Sequence, residues 1–65
     1  MRLDRRSTNI ALALNNKRQI DIVKAGIPRG TVNSAMQENR ISAETAQKIA
    51  DAIGVDVSMI TQKEG

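Results

Sequence analysis

The side chains between residues 28 and 40 have the functional groups for recognition by hydrogen bonding. Arg29 carries a planar guanidinium that can donate to two acceptors at once, and Asn33 carries an amide that both donates and accepts. Their spacing places both on the outer face of one predicted helix, opposite the apolar residue Val32. That outer face carries Arg29, Gly30, Asn33, Ser34 and Gln37.

The chain lacks the residues on which most catalysis and transition-metal binding depend. Its 65 residues include no histidine and no cysteine, which removes the commonest general base, the commonest metal ligand and every disulfide. No paired-carboxylate motif and no glycine-rich phosphate motif appears in the sequence. We therefore expect a protein that is not an enzyme and that uses no cofactor, no metal and no small-molecule ligand.

Charge is distributed unevenly along the chain, whose formal net charge is +3 at pH 7. Residues 1 to 40 hold eight Lys and Arg against three Asp and Glu, a balance of 8 − 3 = +5, and residues 41 to 65 hold two against four, a balance of 2 − 4 = −2. A basic first part favours an anionic partner. The absence of Phe, Tyr and Trp removes the platforms on which single-stranded nucleic acid stacks and argues against RNA-binding modules with exposed aromatic residues.

A chain of this length predicts one small domain. No apolar run approaches the ~20 residues of a membrane span, and the polar start "MRLDRRSTN" lacks the apolar core of a signal peptide. We therefore expect a cytoplasmic protein with no membrane partner. Residues 1–7 are predicted to form a basic arm, whose arginines either follow a nucleic-acid backbone or minor groove or are simply solvated. Residues 62–65 are predicted to form a mobile tail.

The spacing of apolar residues predicts an all-α fold, a small bundle of four to five short helices. Each predicted helix has a start or stop signal, such as Ser42 before the fourth and Gly54 after it. A short fifth helix capped by Asp56 follows. The first predicted helix runs from Ser7 or Thr8 to the stop at Asn15 and Asn16 with Ile10, Ala11 and Leu14 inward, and the second from about Arg18 to Ala25 with Ile22 and Val23 inward. The third runs from Pro28 to about Gln37 with Val32, Ala35 and Met36 inward. The fourth runs from Ser42 to Ile53 with Ala46, Ile49, Ala50 and Ile53 inward.

A glycine turn joins the second and third predicted helices, and this arrangement is the signature of a helix-turn-helix. Gly26 can adopt the positive φ with which the chain reverses in a few residues. Pro28 suits the first position of the helix that follows. The first helix of such a pair braces the second, whose N-terminal half then faces outward.

Two segments, "QIDIVKAGIPRGTV" and "NRISAETAQKIADAIGVDVSMI", together resemble the lambda-repressor-like, Cro/repressor class of helix-turn-helix proteins. The resemblance extends over residues 8 to 62. It implies a lambda-repressor-like DNA-binding domain in which Gly26 is the turn glycine and Ile27 and Val32 are buried after it.

The chain departs from the family pattern on the helix before the turn. Ile22 stands where the family usually has alanine, and Arg18 stands where it usually has glutamine. Gln19 lies one place late, which indicates a locally shortened helix with Ile22 and Val23 inward. Pro28 replaces the usual serine or threonine of the turn, which changes the capping of the next helix but not its presentation.

The resemblance also implies which residues meet DNA. The base-reading positions are Arg29, Gly30 and Ser34, with Asn33 beside them and Gln37 on the same outer face. Arginine pairs with guanine O6 and N7 and asparagine with adenine N6 and N7, and each such pair contributes ~1–3 kcal/mol of discrimination. Gly30 allows close approach of the backbone. The predicted phosphate contacts are Lys17, Arg18, Gln19, Thr31, Asn39 and Arg40.

The sequence thus predicts a transcriptional regulator, a repressor of the phage or mobile-element Cro kind, that binds a double-stranded DNA operator sequence-specifically. Such proteins bind as dimers at half-sites about one helical turn apart. Val57, Met59 and Ile60 are the predicted contacts of a homodimer, formed in solution or only on DNA. The alternative is a protein-interaction module, such as an antitoxin or antirepressor, that keeps the fold but binds a protein. That alternative predicts weak, salt-labile duplex binding that is indifferent to Arg29.

Overall fold

The computed structural model describes residues 1–63, and in that part of the chain it contains four α-helices and one short 3₁₀ helix. The only β-type pairing among those residues is an antiparallel bridge between Leu3 and Thr61. The predicted all-α class and small helical bundle are confirmed. Over the same residues, no helix has the length and apolar character needed to cross a bilayer. The elements are α1 (Arg5–Leu14), α2 (Gln19–Lys24), α3 (Arg29–Met36), α4 (Ala43–Ile53) and the 3₁₀ helix (Val57–Met59).

Helix α4 supplies the centre of the core, because its apolar residues recur at helical spacing. Ser42 caps its start, since the Ser42 hydroxyl accepts the backbone N–H of Thr45 at 3.1 Å. Gly54 ends it in the left-handed region, at φ 95°. Both α2 and the 3₁₀ helix pack against α4. Its four predicted inward residues are all buried: Ala46, Ile49, Ala50 and Ile53.

Helix α1 begins at Arg5, earlier than the predicted start at Ser7 or Thr8. The cause is an acidic cap, because the carboxylate of Asp4 accepts the backbone N–H of Ser7 at 3.0 Å. A carboxylate at this position satisfies a helical donor and interacts favourably with the helix dipole. With Asp4 as the cap, Arg5 and Arg6 form the first two positions of the helix.

The inward face of α1 also differs from the prediction. Ile10 and Leu14 are expected in the core, but they are 52% and 80% exposed. Ala11 is buried as predicted, and Leu12 and Thr8 are buried with it. The single proton of the Thr8 hydroxyl is shared between two backbone carbonyl oxygens, that of Asp4 at 2.7 Å and that of Ile60 at 3.2 Å. A hydrogen-bonded hydroxyl thus takes an inward place on α1, and this turns the two larger apolar side chains outward.

The first four residues are part of the folded domain, so the basic arm predicted over residues 1–7 is wrong. Leu3 is 0% exposed and forms the bridge to Thr61. The backbone N–H of Asp4 donates to the carbonyl oxygen of Ile60 at 2.8 Å. Ile60 is itself fully buried there, which removes it from the predicted dimer contacts.

Gln62 also belongs to the folded part, so the mobile tail predicted over residues 62–65 is wrong at its first residue. Its backbone N–H donates to the carbonyl oxygen of Arg2 at 2.9 Å. Its side-chain amide donates to the carbonyl oxygen of Leu3 at 3.0 Å. Residues 64 and 65 lie outside the described residues.

Replacing Leu3 by alanine is expected to lower the free energy of unfolding by about 2–5 kcal/mol, because it removes buried apolar volume. A domain of this size holds on the order of 3–10 kcal/mol in total, so the loss is large. Urea unfolding followed by far-UV circular dichroism measures it. The control is Arg2→Ala, at an exposed neighbour, for which we expect a change within about 0.5 kcal/mol. Equal stability of the two variants would show that the N-terminal segment does not pack.

Candidate nucleic-acid interface

The turn between α2 and α3 is built around Gly26. Its φ is 104°, a conformation that a residue with a Cβ rarely adopts, and its N–H donates to the carbonyl oxygen of Val23 at 3.0 Å. Ile27 is buried directly after the turn, and Val32 is buried one turn into α3. The turn glycine and the two buried residues after it are therefore as predicted. They orient α3 relative to α2, and the two helices pack together.

Helix α2 is short, and a carboxylate caps its start. The carboxylate of Asp21, the third residue of α2, accepts the backbone N–H of Arg18 at 2.8 Å, and Arg18 is the residue just before the helix. Ile22 is buried and Val23 is packed against the core, as a locally shortened helix requires. Three predicted phosphate contacts are exposed at this end of α2: Lys17, Arg18 and Gln19.

Helix α3 buries one side and exposes the other. It begins at Arg29, one residue later than predicted, because Pro28 is the N-cap with an extended ψ of 142°. The predicted inward residues Val32, Ala35 and Met36 are buried. We call the outer side the α3 face. Its members are the exposed residues Arg29, Gly30, Asn33 and Gln37 and the half-buried residue Ser34.

The guanidinium of Arg29 forms no ion pair with residues 1–63. The ion pair described in that part of the chain joins Lys48 to Glu44 on α4, at 3.5 Å, and no carboxylate there pairs with Arg29. An exposed arginine without an internal acceptor can place both of its parallel N–H donors on an external group.

Gly30 has no role in the fold that explains its residue type. A Cβ at this position would meet nothing within 4 Å, and its φ is not among the positive ones. Glycine inside a helix costs roughly 0.5–1 kcal/mol relative to alanine. The backbone of α3 is therefore open to its surroundings at Gly30.

The end of α3 carries a small polar network. The side-chain amide of Asn39 donates to the Ser34 hydroxyl oxygen at 3.2 Å, and the backbone N–H of Asn39 donates to the Ser34 carbonyl oxygen at 3.2 Å. Because the Ser34 hydroxyl accepts in this bond, its own proton points elsewhere. Arg40 follows and is exposed, whereas the predicted phosphate contact Thr31 is half-buried within α3.

Glu38 is a residue that the sequence analysis missed. It follows α3 in the left-handed conformation, at φ 63°, and its carboxylate accepts the backbone N–H of Arg5 at 3.0 Å. This bond fastens the start of α1 to the end of α3. The backbone N–H of Ile41 donates to the Met1 carbonyl oxygen at 2.7 Å, so the chain at Arg2 lies beside the loop after α3. No local pattern signals these contacts, because they join distant parts of the chain.

The predicted site residues thus fall into two groups, one at the start of α2 and one on α3 and the loop after it. All of them are exposed except Thr31 and Ser34, which are half-buried. Among the described residues, no three His, Cys, Asp or Glu side chains are grouped so that they could hold a metal ion. Comparisons with protein-family models, with curated proteins and with solved structures give no match to this chain. The resemblance to lambda-repressor-like proteins therefore stays a prediction from the sequence.

Replacing Gly30 by alanine is expected to raise the free energy of unfolding by about 0.5–1 kcal/mol, because alanine is the better helix former and the site has room for a Cβ. Urea unfolding followed by far-UV circular dichroism measures the change. The contrast is Gly26→Ala, which forces a Cβ into the left-handed region and is expected to destabilise. A destabilised Gly30→Ala variant would mean that the fold itself requires this glycine.

Proposed function

We propose that the protein is a transcriptional regulator that binds double-stranded DNA sequence-specifically, with α3 in the major groove. The observation that carries the proposal is the α3 face. Its polar residues stand on the outer side of a helix whose inner side is buried behind a glycine turn. The major groove of B-DNA is wide enough for one α-helix. A helix held in this way can enter the groove without disturbing the core.

Within the α3 face, each residue has a distinct part in the proposal. Arg29 reads guanine through O6 and N7, and Asn33 reads adenine through N6 and N7. Ser34 donates its hydroxyl proton to a base acceptor while it stays bonded to Asn39. Gly30 lets the bases approach the helix backbone, which accounts for a glycine that the fold does not need. Gln37 stands at the C-terminal end of the same face.

Phosphate contacts fix the position of α3 in the groove without reading sequence. Lys17, Arg18 and Gln19 supply them at the start of α2, and Arg40 supplies one after α3. Arg2 also contacts phosphate in this proposal. It does so from a segment fixed to the domain and not from a flexible arm, since the carbonyl oxygen of its neighbour Met1 accepts the backbone N–H of Ile41. The concentration of positive charge in residues 1 to 40 supports this assignment.

We propose that the regulator is a Cro-like repressor that acts by occupying its operator as a homodimer. Two-fold symmetric operators with half-sites about one helical turn apart fit a dimer that presents two α3 helices. Binding to chromosomal or phage DNA places the protein in the cytoplasm of a bacterial host. A protein-interaction module with the same fold is the alternative, and the site-selection experiment below separates the two.

Selection of binding sites from a random duplex pool tests the proposal. Wild type is expected to yield a two-fold symmetric motif, and Arg29→Ala is expected to lose the base preference at one position in each half-site, at a cost of ~1–3 kcal/mol. Arg29→Lys is the matched control, because it keeps the charge but loses the bidentate geometry. Labelled DNA reports binding, since the chain has no aromatic residue. Selection of an identical motif by wild type and Arg29→Ala would contradict base reading by Arg29, and binding without any motif would favour the protein-interaction alternative.

Arg18→Ala is expected to weaken binding by the same factor on a selected duplex and on a scrambled one, because a phosphate contact carries no sequence information. The slope of log K against log salt concentration should fall by about 0.9. Fluorescence anisotropy of labelled duplexes at several salt concentrations measures both. Arg40→Ala provides the matching test after α3. A loss confined to the selected duplex would instead place the residue among the base contacts.

A further inference from the structure

Each of the four α-helices is followed by a residue in the left-handed conformation, with φ between 54° and 104°. Two of these residues are glycines, Gly26 and Gly54, and a third is Asn16. Glycine has no Cβ, and the short side chain of asparagine can bond locally, so both residue types tolerate this conformation. The fourth residue is Glu38 at the end of α3, at φ 63°, and glutamate has neither property.

The backbone at the end of α3 forms the two hydrogen bonds of a Schellman motif, in which glycine is the usual left-handed residue. The N–H of Glu38 donates to the carbonyl oxygen of Ala35 at 3.0 Å, and the N–H of Asn39 donates to that of Ser34 at 3.2 Å. The end of the helix by itself therefore favours glycine at position 38. A glutamate in its place strains the backbone, and such strain persists where the surrounding structure compensates for it.

The Glu38 side chain makes the compensating contact. Its carboxylate accepts the backbone N–H of Arg5 at 3.0 Å, and Arg5 is the first residue of α1. That N–H has no partner within its own helix, and a carboxylate beside it interacts favourably with the helix dipole. Glu38 is half-buried in this position, so water screens the contact less than it screens one on the open surface.

The loop after α3 is joined to the segment before α1 at two points. Glu38 forms the first point through its bond from Arg5. The second is the backbone N–H of Ile41, which donates to the Met1 carbonyl oxygen at 2.7 Å. Between the two points lie two exposed residues of the chain, Asn39 and Arg40. The backbone of these two residues is thus fixed at both of its ends.

The segment before α1 is itself attached to the core, so it can support the loop. Leu3 is fully buried in this segment. The backbone N–H of Asp4 donates to the carbonyl oxygen of Ile60 at 2.8 Å. The carbonyl oxygen of Arg2 accepts the backbone N–H of Gln62 at 2.9 Å. The core therefore supports the loop after α3 through this segment.

We propose that Glu38 is a positioning residue for Arg40. Its carboxylate holds the loop after α3 against the start of α1, and this fixes the backbone of Arg40 relative to the α3 face. Arg40 then reaches a phosphate while α3 lies in the major groove, with less loss of conformational freedom on binding. The contact with phosphate rests on the proposed function, whereas the ordering of the loop does not.

The negative charge of Glu38 separates this positioning role from a simple charge effect. A carboxylate next to phosphate contacts repels DNA, so removal of its charge alone tightens binding, whereas loss of the positioning contact weakens it. Glu38→Gln removes the charge but keeps a side-chain carbonyl oxygen that can accept the Arg5 N–H. Glu38→Gly removes both and relieves the left-handed backbone. The two variants have the same net charge, so they form a matched pair.

NMR backbone order parameters of the full chain without DNA test the ordering of the loop. In the wild type and in Glu38→Gln, residues 39 and 40 are expected near about 0.85, the value of rigid backbone, and in Glu38→Gly they are expected to fall below about 0.6. The control is Asn16→Gly, which places glycine in the left-handed conformation after α1 and should leave residues 39 and 40 unchanged. The urea midpoint of Glu38→Gly should stay near that of the wild type, because relief of the strain offsets the lost hydrogen bond.

Fluorescence anisotropy on a labelled duplex that carries the selected site tests the consequence for DNA. Glu38→Gly is expected to bind about fivefold more weakly than the wild type, and Glu38→Gln at least as tightly as the wild type. Arg40→Ala should weaken binding about fivefold in the wild-type background but less than about twofold in the Glu38→Gly background. The reason is that an arginine on a loop that is no longer held contributes little to binding.

Equal order parameters at residues 39 and 40 in Glu38→Gly and in the wild type would overturn the proposal, whether or not the chain binds DNA. Equal affinities of the Glu38→Gly and Glu38→Gln variants would overturn the role at phosphate, and so would a full effect of Arg40→Ala in the Glu38→Gly background. If the wild type binds no duplex while Glu38→Gly loosens the loop, the proposed function fails and the ordering of the loop by Glu38 stands.

Discussion

The left-handed conformation of Gly26 is the constraint on which the candidate interface depends. With φ at 104°, the chain leaves α2 and enters α3 within a few residues, a path that a residue with a Cβ takes only under strain. Ile27 is then buried directly after the turn and Val32 one helical turn into α3, and their burial determines which side of α3 faces the core. The orientation of every residue on the α3 face follows from that choice, since a helix buries one side only at the expense of exposing the other.

A second constraint is the packing of the segment before α1 against the residues that follow the 3₁₀ helix. Leu3 is buried and forms an antiparallel bridge with Thr61. The Thr8 hydroxyl is hydrogen-bonded to the carbonyl oxygen of Ile60. Other contacts hold the N-terminal segment beside the loop after α3: the backbone N–H of Ile41 donates to the Met1 carbonyl oxygen, and that of Arg5 donates to the Glu38 carboxylate. The burial of Thr8 beside Ile60 orients α1 so that Ile10 and Leu14 face outward next to the 3₁₀ helix.

Two kinds of contact would have separate energetic roles in the proposed DNA complex. Attraction to phosphates would draw the α3 face to any duplex, whatever its sequence. Discrimination between sequences would depend on a few well-aligned hydrogen bonds from α3 to base edges.

The sequence by itself determined the features that depend on neighbours within about one helical turn. The cap at Ser42, the stop at Gly54, the turn at Gly26 and the inner sides of α3 and α4 are local signals, and all of them could be predicted. The same signals predicted that most residues of the candidate site are exposed. Only the tertiary structure decided the inward side of α1, the burial of Leu3 and Ile60, and the bond from Arg5 to Glu38. Thr8 and Ile60 are separated by 52 positions, and Arg5 and Glu38 by 33. A local pattern ranks threonine below isoleucine for burial, but the Thr8 hydroxyl is bonded to the carbonyl oxygens of neighbouring Asp4 and distant Ile60, so it is buried without that penalty.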